Sequence, residues 1–238
     1  MNSNDPTPRQ DAQAPGQDGR SPGQVDRSPG QDARSPGQVW AALTAGNERF
    51  VSGEPEHPHQ DADRRAQLAQ GQAPIAALFG CSDSRLAAEI IFDAGLGDLF
   101  VVRNAGQVVG DTVLGTLEYA VDVLHVPLIV VLGHDSCGAV AAAIASIDAD
   151  KEPETFYLQR LIDMIVPSVK RAHRALGPGA ELEPHEVGRL HIEASVGALL
   201  ERSIPISEAV ASGRLAVVGA NYDLANGKVD PHTVVGSL

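Results

Sequence analysis

Leu128-Ile-Val-Val-Leu132 runs directly into Gly133-His134-Asp135-Ser136-Cys137-Gly138, and this stretch decides how the chain folds. A short apolar run ended by a glycine has the length of a strand. A strand that is apolar on every side belongs in a parallel sheet covered on both faces. The same design stands upstream, where the apolar run 75–79 ends in Gly80-Cys81-Ser82-Asp83-Ser84-Arg85. Residues 99–102 and 215–218 are two more runs of this kind. Helical stretches alternate with them at 111–124, 139–147, 155–176 and 186–202. Pro167 lies inside the third and is expected to kink or split it. Strands alternating with helices predict an α/β domain with a parallel sheet. Asn226-Gly227 is a hairpin signal, so a last antiparallel strand is expected after it.

Before this alternation, residues 39–50 have helical spacing, with Trp40, Leu43 and Phe50 on or near one face. Pro55 and Pro58 stop that helix. Residues 1–38 are a different regime. A seven-residue repeat runs through them as Ala14-Pro-Gly-Gln-Asp-Gly-Arg20, Ser21-Pro-Gly-Gln-Val-Asp-Arg27, Ser28-Pro-Gly-Gln-Asp-Ala-Arg34 and Ser35-Pro-Gly-Gln38. Met1 and Val25 are the only large apolar residues in it, too few to offset the entropy of ordering, so disorder is expected. The functional alternative is a docking or phosphorylated tail. The domain plan is therefore a Pro/Gly/Gln-rich tail over 1–38 and one folded domain over 39–238.

The chain carries 18 Lys+Arg against 31 Asp+Glu, a formal net charge of −13. That balance argues against a nucleic-acid binder and against a polybasic membrane-surface protein. No apolar run approaches the ~20 residues that span a bilayer. The first 38 residues are polar, so no signal peptide is expected and the cytosol is the simplest compartment. The two cysteines, Cys81 and Cys137, are too few for a disulfide scaffold. In a reducing compartment, metal or catalytic roles outrank a bridge between them.

Sites in open parallel sheets form outside the carboxyl ends of the strands. Cys81, Asp83, His134 and Cys137 could meet there from loops far apart in sequence. Thiolate and imidazole suit Zn²⁺, at ~2.3 Å for sulfur and ~2.0–2.1 Å for nitrogen. His134 and Cys137 are three apart, so one turn at a helix start presents both. Three firm ligands leave a fourth position, for which Asp83 and water compete. Asp83 and Arg85 can pair bidentately. Held by Arg85, Asp83 stays off the metal and accepts a hydrogen bond from bound water; released, it can close the site as a ligand. Zinc lowers the pKa of its water to about 7, so a hydroxide nucleophile is available for a small electrophile. Asp135 and Ser136 are read as caps for the helix starting near Cys137. His57 and His59 are expected in solvent, and His173, His185, His191 and His232 are assigned no role.

Cys81-Ser-Asp-Ser-Arg85 followed by Gly133-His-Asp-Ser-Cys-Gly138 resembles the β-class carbonic anhydrases. Ala45-Gly-Asn-Glu-Arg-Phe50, Val101-Val-Arg-Asn-Ala-Gly106 and Gly115-Thr-Leu-Glu-Tyr-Ala120 extend the resemblance over 39–238, and the wording is similar to actinobacterial members. It implies reversible hydration of CO2 to bicarbonate and a proton, one zinc on Cys81, His134 and Cys137, and Asp83 with Arg85 as a catalytic dyad. It further implies four parallel strands plus an antiparallel edge strand, flanked by helices. A homodimer, often a tetramer, would follow, with residues 40–50 as a helical arm over the neighbouring subunit. Some members carry a Gln where this chain has Gly95. Others build a bicarbonate-controlled pocket from Trp, Arg and Tyr; here Arg103 and Tyr222 match and Leu78 takes the Trp position. Hydrolysis of CS2 or COS, a non-catalytic zinc sensor closed by Asp83, and a phosphatase-like cysteine loop are the competing readings.

Overall fold

A computed structural model describes residues 34–149, 151, 153–177 and 181–238. The repeats up to residue 33 lie outside them. The apolar runs pair into a five-stranded sheet, β1 (Ala76–Cys81), β2 (Leu99–Asn104), β3 (Leu128–His134), β4 (Ala216–Tyr222) and β5 (Val229–Val235), in the order β2-β1-β3-β4-β5. The first four strands are parallel and β5 runs antiparallel to β4. β1 and β3 are buried along their whole length, which is why they read as unbroken apolar runs. Pro231 pairs with Ala220 beside a register shift, a position an edge strand tolerates because no outer neighbour needs the missing N–H. The Asn226-Gly227 hairpin signal holds: loop 223–228 joins β4 to β5, with Gly227 at φ +79° and its N–H bonded to the Asp223 carbonyl.

Alternate residues of each strand face two separate cores. Leu78, Leu132 and Val218 face α1 (Pro36–Ser52), α3 (Ala88–Ile91), α5 (Gly138–Asp148), α6 (Phe156–Asp163) and α7 (Val166–Leu176). Phe79, Ile129 and Val217 face α4 (Asp111–Asp122), α8 (Pro184–Arg202) and α9 (Ile204–Ala211). Pro167 splits the expected helix 155–176 into α6 and α7 and sits in the first turn of α7. Two helices have no counterpart among the sequence expectations besides α3: α2 (Ala62–Leu68), and α9, which follows α8 with Ser203 as the only residue between them. No described helix is long and apolar enough to cross a membrane.

α1 starts at Pro36, ahead of the expected Val39. Ser35 caps it, accepting from Gln38 N while the Gln38 side chain bonds back to Ser35 N, so the last repeat unit is a helix start. The buried stripe of α1 is Val39, Leu43, Gly46 and Asn47, with Trp40 and Phe50 only half-buried beside it. α1 is tied to its own chain through Asn47. Asn47 Nδ2 donates to the carbonyls of Ile91 and Gly227, and its Oδ1 accepts from Val229 N at 2.9 Å. At Gly46 a Cβ would overlap the Phe92 carbonyl. Alanine gains ~1 kcal/mol in helix propensity, but overlap with backbone, which cannot rotate away, costs ~1–3 kcal/mol or more. Gly46→Ala is therefore expected to lower the Tm by several degrees in a thermal melt.

The loop after α1 is pinned by Asp93, whose side chain is 1% exposed. Burial pushes its pKa up, but the Glu56 N–H, the Arg49 guanidinium at 2.6 Å and the His57 N–H together hold it below the usual carboxylate range. A depressed folded pKa contributes stability above the unfolded value, about 3.9, and loses it as pH falls through the folded value. Asp93→Asn should lower the Tm at neutral pH, and the gap to the parent should narrow below about pH 4. Melts at the two pH values check both the sign and the window.

Candidate metal centre

The sheet order changes direction between β1 and β3, which makes the crevice beyond their carboxyl ends the favoured site in this type of fold. Cys81 is the last residue of β1 and His134 the last of β3, so both hang from the hydrogen-bonded ladder itself, not from the loops after it. Cys137 occupies the N-cap position of α5. Ser136, at φ +52°, turns the chain to deliver it there. The three side chains are buried, and their ligand atoms all lie within 4.8 Å of one another.

His134 Nδ1 lies 2.8 Å from the Asp135 carbonyl, which can only accept, so the proton sits on Nδ1 and Nε2 keeps its lone pair. That Nε2 is buried and has no hydrogen-bond partner among the described residues. An orphaned imidazole nitrogen beside two thiols, its tautomer fixed by the other ring nitrogen, is a donor set that fits zinc. The thiols also differ. The Cys137 thiol beside it is the main cause that holds the Cys81 pKa far below that of an ordinary thiol, against the effect of burial, and the His134 ring and the Gly106 N–H add to it. Cys137 is correspondingly pushed up.

Asp83 stands at the open side of this cluster. Its Oδ1 accepts from Arg85 N and Nε, both at 2.9 Å, and its Oδ2 from Arg85 Nη2 at 2.7 Å. This fork, more than the opposing burial, holds the Asp83 carboxyl far below the usual carboxylate range. The Asp83 Oδ2 remains 3.9 Å from His134 Nε2. Of the four donors read from the sequence, Cys81, His134 and Cys137 thus converge, and Asp83 is held beside them by Arg85.

Other positions differ from the sequence expectations. Asp135 does not cap α5; its Oδ1 accepts from Leu224 N at 2.7 Å and so ties the loop after β3 to the one after β4. Ser136 provides no cap either, because Cys137 holds that position. Arg103 donates from Nε to the Cys81 carbonyl and from Nη2 to the Asp83 carbonyl, bracing the site loop from β2. Leu78 is core, and Tyr222 ends β4 beside His134. A Cβ on Gly95 would overlap the Pro58 carbonyl, so this position has no room for any side chain. His57 and His59 are exposed as expected, with His59 Nδ1 against Asp98 at 2.8 Å.

A doubly covered parallel sheet that delivers two thiols and an imidazole to one buried point, beside a partly buried carboxylate, defines an α/β protein with a Cys-His-Cys group that could hold a metal. The model of the carbonic anhydrase family matches residues 76–229. The chain is 51% identical over 200 residues to carbonic anhydrase 2 of Mycobacterium tuberculosis, covering 84% of this chain and 94% of that one. It is 48% identical, with the same coverage, to a carbonic anhydrase of Mycolicibacterium smegmatis. Among solved structures, one of two tetrameric β-carbonic anhydrases from Sordaria macrospora superposes with a TM-score of 0.65 at 26% identity, covering 83% of this chain and 99% of that one. The Coccomyxa β-carbonic anhydrase in complex with acetazolamide gives 0.63 at 26% identity, covering 84% and 85%. The chain belongs to the carbonic anhydrase family, in its β class, whose reaction is zinc-dependent hydration of CO2.

Proposed function

We propose that this chain hydrates CO2 reversibly with one zinc ion per chain, held by Cys81, His134 and Cys137. The observation that carries the reading is the convergence within 4.8 Å of the two sulfurs and the imidazole of His134, whose Nε2 has no hydrogen-bond partner among the described residues. Zinc, when bound, supplies Lewis acidity that brings the pKa of water from 15.7 to about 7. Asp83 orients the attacking water by accepting its hydrogen bond on Oδ2, the carboxylate oxygen that faces His134. Arg85 keeps Asp83 in that role, because its bidentate grip engages both carboxylate oxygens. Released from Arg85, Asp83 is near enough to act as a fourth ligand and close the site. The product proton leaves to bulk buffer past the partly buried Asp83 and the half-exposed Arg85.

The assembly we propose is a homodimer or tetramer. Tyr157 is 83% exposed, Ile204 73% and Phe156 67%, apolar surface that a second copy would cover. The Sordaria relative is described as tetrameric. Two free buried thiols support a reducing, cytosolic location. The acidic balance supports small-molecule chemistry without nucleic-acid or membrane partners.

The test is zinc analysis with stopped-flow CO2 hydration on the full chain as purified, after chelator stripping and after zinc restoration. About one zinc per chain is expected, with activity lost on stripping and regained on reloading. A zinc-loaded chain without hydration anywhere from about pH 6 to about pH 9 would overturn the reading in favour of a sensor.

A further inference from the structure

Resting on the reading of Cys81 as a metal ligand, we propose that His191 of α8 is a positioning residue for the metal site. It anchors the turn 105–107 so that the Gly106 N–H stays on the Cys81 sulfur. The contacts form a chain. Gly106 N donates to Cys81 Sγ at 3.3 Å, and His191 Nε2 lies 2.8 Å from the Gly106 carbonyl. A carbonyl only accepts, so the His191 ring carries its proton on Nε2 and donates.

The turn needs such an anchor. Gly106 and Gln107 have φ of +70° and +39°, two successive residues in the left-handed region, the second a non-glycine. Such a conformation persists only where its surroundings impose it. A Cβ on Gly106 would sit 2.8 Å from Ala139 Cβ and from Ile165 Cδ1, so packing alone leaves no slack on that side. On the other side His191 makes the short bond, and Ser195 Oγ reaches the Gln107 carbonyl at 3.4 Å while bonding the His191 carbonyl at 2.8 Å. Asn104 brackets Val108 beyond the turn with two bonds of 2.8 Å.

The cost of this arrangement points the same way. His191 is 4% exposed on α8, whose other buried residues include Val187, Ile192, Val196 and Leu199, and its buried Nδ1 has no hydrogen-bond partner among the described residues. A leucine there would bury apolar surface with no polar atom left over, so an imidazole in this place is explained by what its Nε2–H holds. Burial also pushes the His191 pKa down, keeping the ring neutral with a single N–H.

The experiment compares the zinc-loaded chain with His191→Leu, His191→Gln and Leu199→Ala. Zinc release to a chromogenic chelator and the thiolate-to-metal band of the cobalt-substituted proteins are the readouts. Loss of a partner in the outer shell of a metal site costs roughly 10–100-fold in affinity. His191→Leu is therefore expected to release zinc roughly tenfold more readily and to shift the cobalt band. His191→Gln, whose side-chain amide can donate to the same carbonyl, should recover most of both. Leu199→Ala lowers the melting temperature of metal-free and loaded protein in parallel and leaves the band in place, as a merely structural residue would. In the parent chain, ¹⁵N NMR should find the His191 proton on Nε2, a reading that needs no variant to fold. Parent-like release and band in His191→Leu, or a proton on Nδ1, overturns the inference alone. A parent chain that takes up no zinc overturns the metal reading and this inference with it.

Discussion

Cys81→Ser is expected to hold well under one zinc per chain and to hydrate CO2 at least ~1000-fold more slowly than the parent. The magnitude follows from what the metal contributes. Lewis-acid catalysis is worth several kcal/mol of transition-state stabilisation, and each ~1.4 kcal/mol is a factor of ten in rate. A neutral hydroxyl is a poor substitute for thiolate as a zinc donor. The fold should survive. Serine is close in size, the position is the last of a fully buried strand, and the Gly106 N–H that now points at sulfur would find an oxygen acceptor instead. Circular dichroism unchanged, zinc lost by atomic absorption and hydration lost in stopped flow is the expected triple. Parent-like zinc content and turnover would show that Cys81 is a core cysteine.

The residues behind this prediction stand out in the sequence because thiols and an imidazole at the carboxyl ends of all-apolar strands interrupt a pattern that packing alone would continue. The sheet is legible for a related reason: β1 and β3 are covered on both faces, so every residue along them is apolar until the functional ones begin. Hydropathy stops each strand at its last apolar residue, 79 and 132, whereas the ladder continues through Cys81 and His134. Polar residues at strand ends look like loop in a sequence, although here the ladder gives them their rigidity. The bracing by Arg103 and His191 leaves no trace in the sequence, because each acts on a backbone carbonyl and no side-chain pattern records that. Asp135 looks like a local cap because a carboxylate before a helix usually is one; its partner, Leu224 N, lies 89 positions away. α9 is hidden because it follows α8 after one residue, and only Ser203 capping Ile206 N and the proline in its first turn mark the break.

A double-mutant cycle on Asp83 and Arg85 should show that the two act as one device. Asp83→Asn keeps the shape but removes the charge that Arg85 grips, and ~100-fold loss in kcat/KM is expected with zinc content unchanged, the low end for a positioned proton acceptor. Arg85→Leu should cost a similar factor, because it frees the Asp83 carboxylate from the fork of 2.9 and 2.7 Å bonds that fixes it beside His134. Independent effects would multiply, so the double variant would fall ~10,000-fold, about 5.4 kcal/mol. If Arg85 works only through Asp83, the double variant falls no further than the worse single, and the missing ~2.7 kcal/mol is the coupling energy. The stability of the pair is a poor guide here. Arg85 is half exposed and a surface ion pair contributes little to folding, so all four proteins should melt within a degree or two of each other. An additive cycle would mean that Arg85 has a second task, and its remaining described hydrogen bond, to the Ser136 carbonyl at 3.5 Å, would make that task the placement of the turn that carries Cys137.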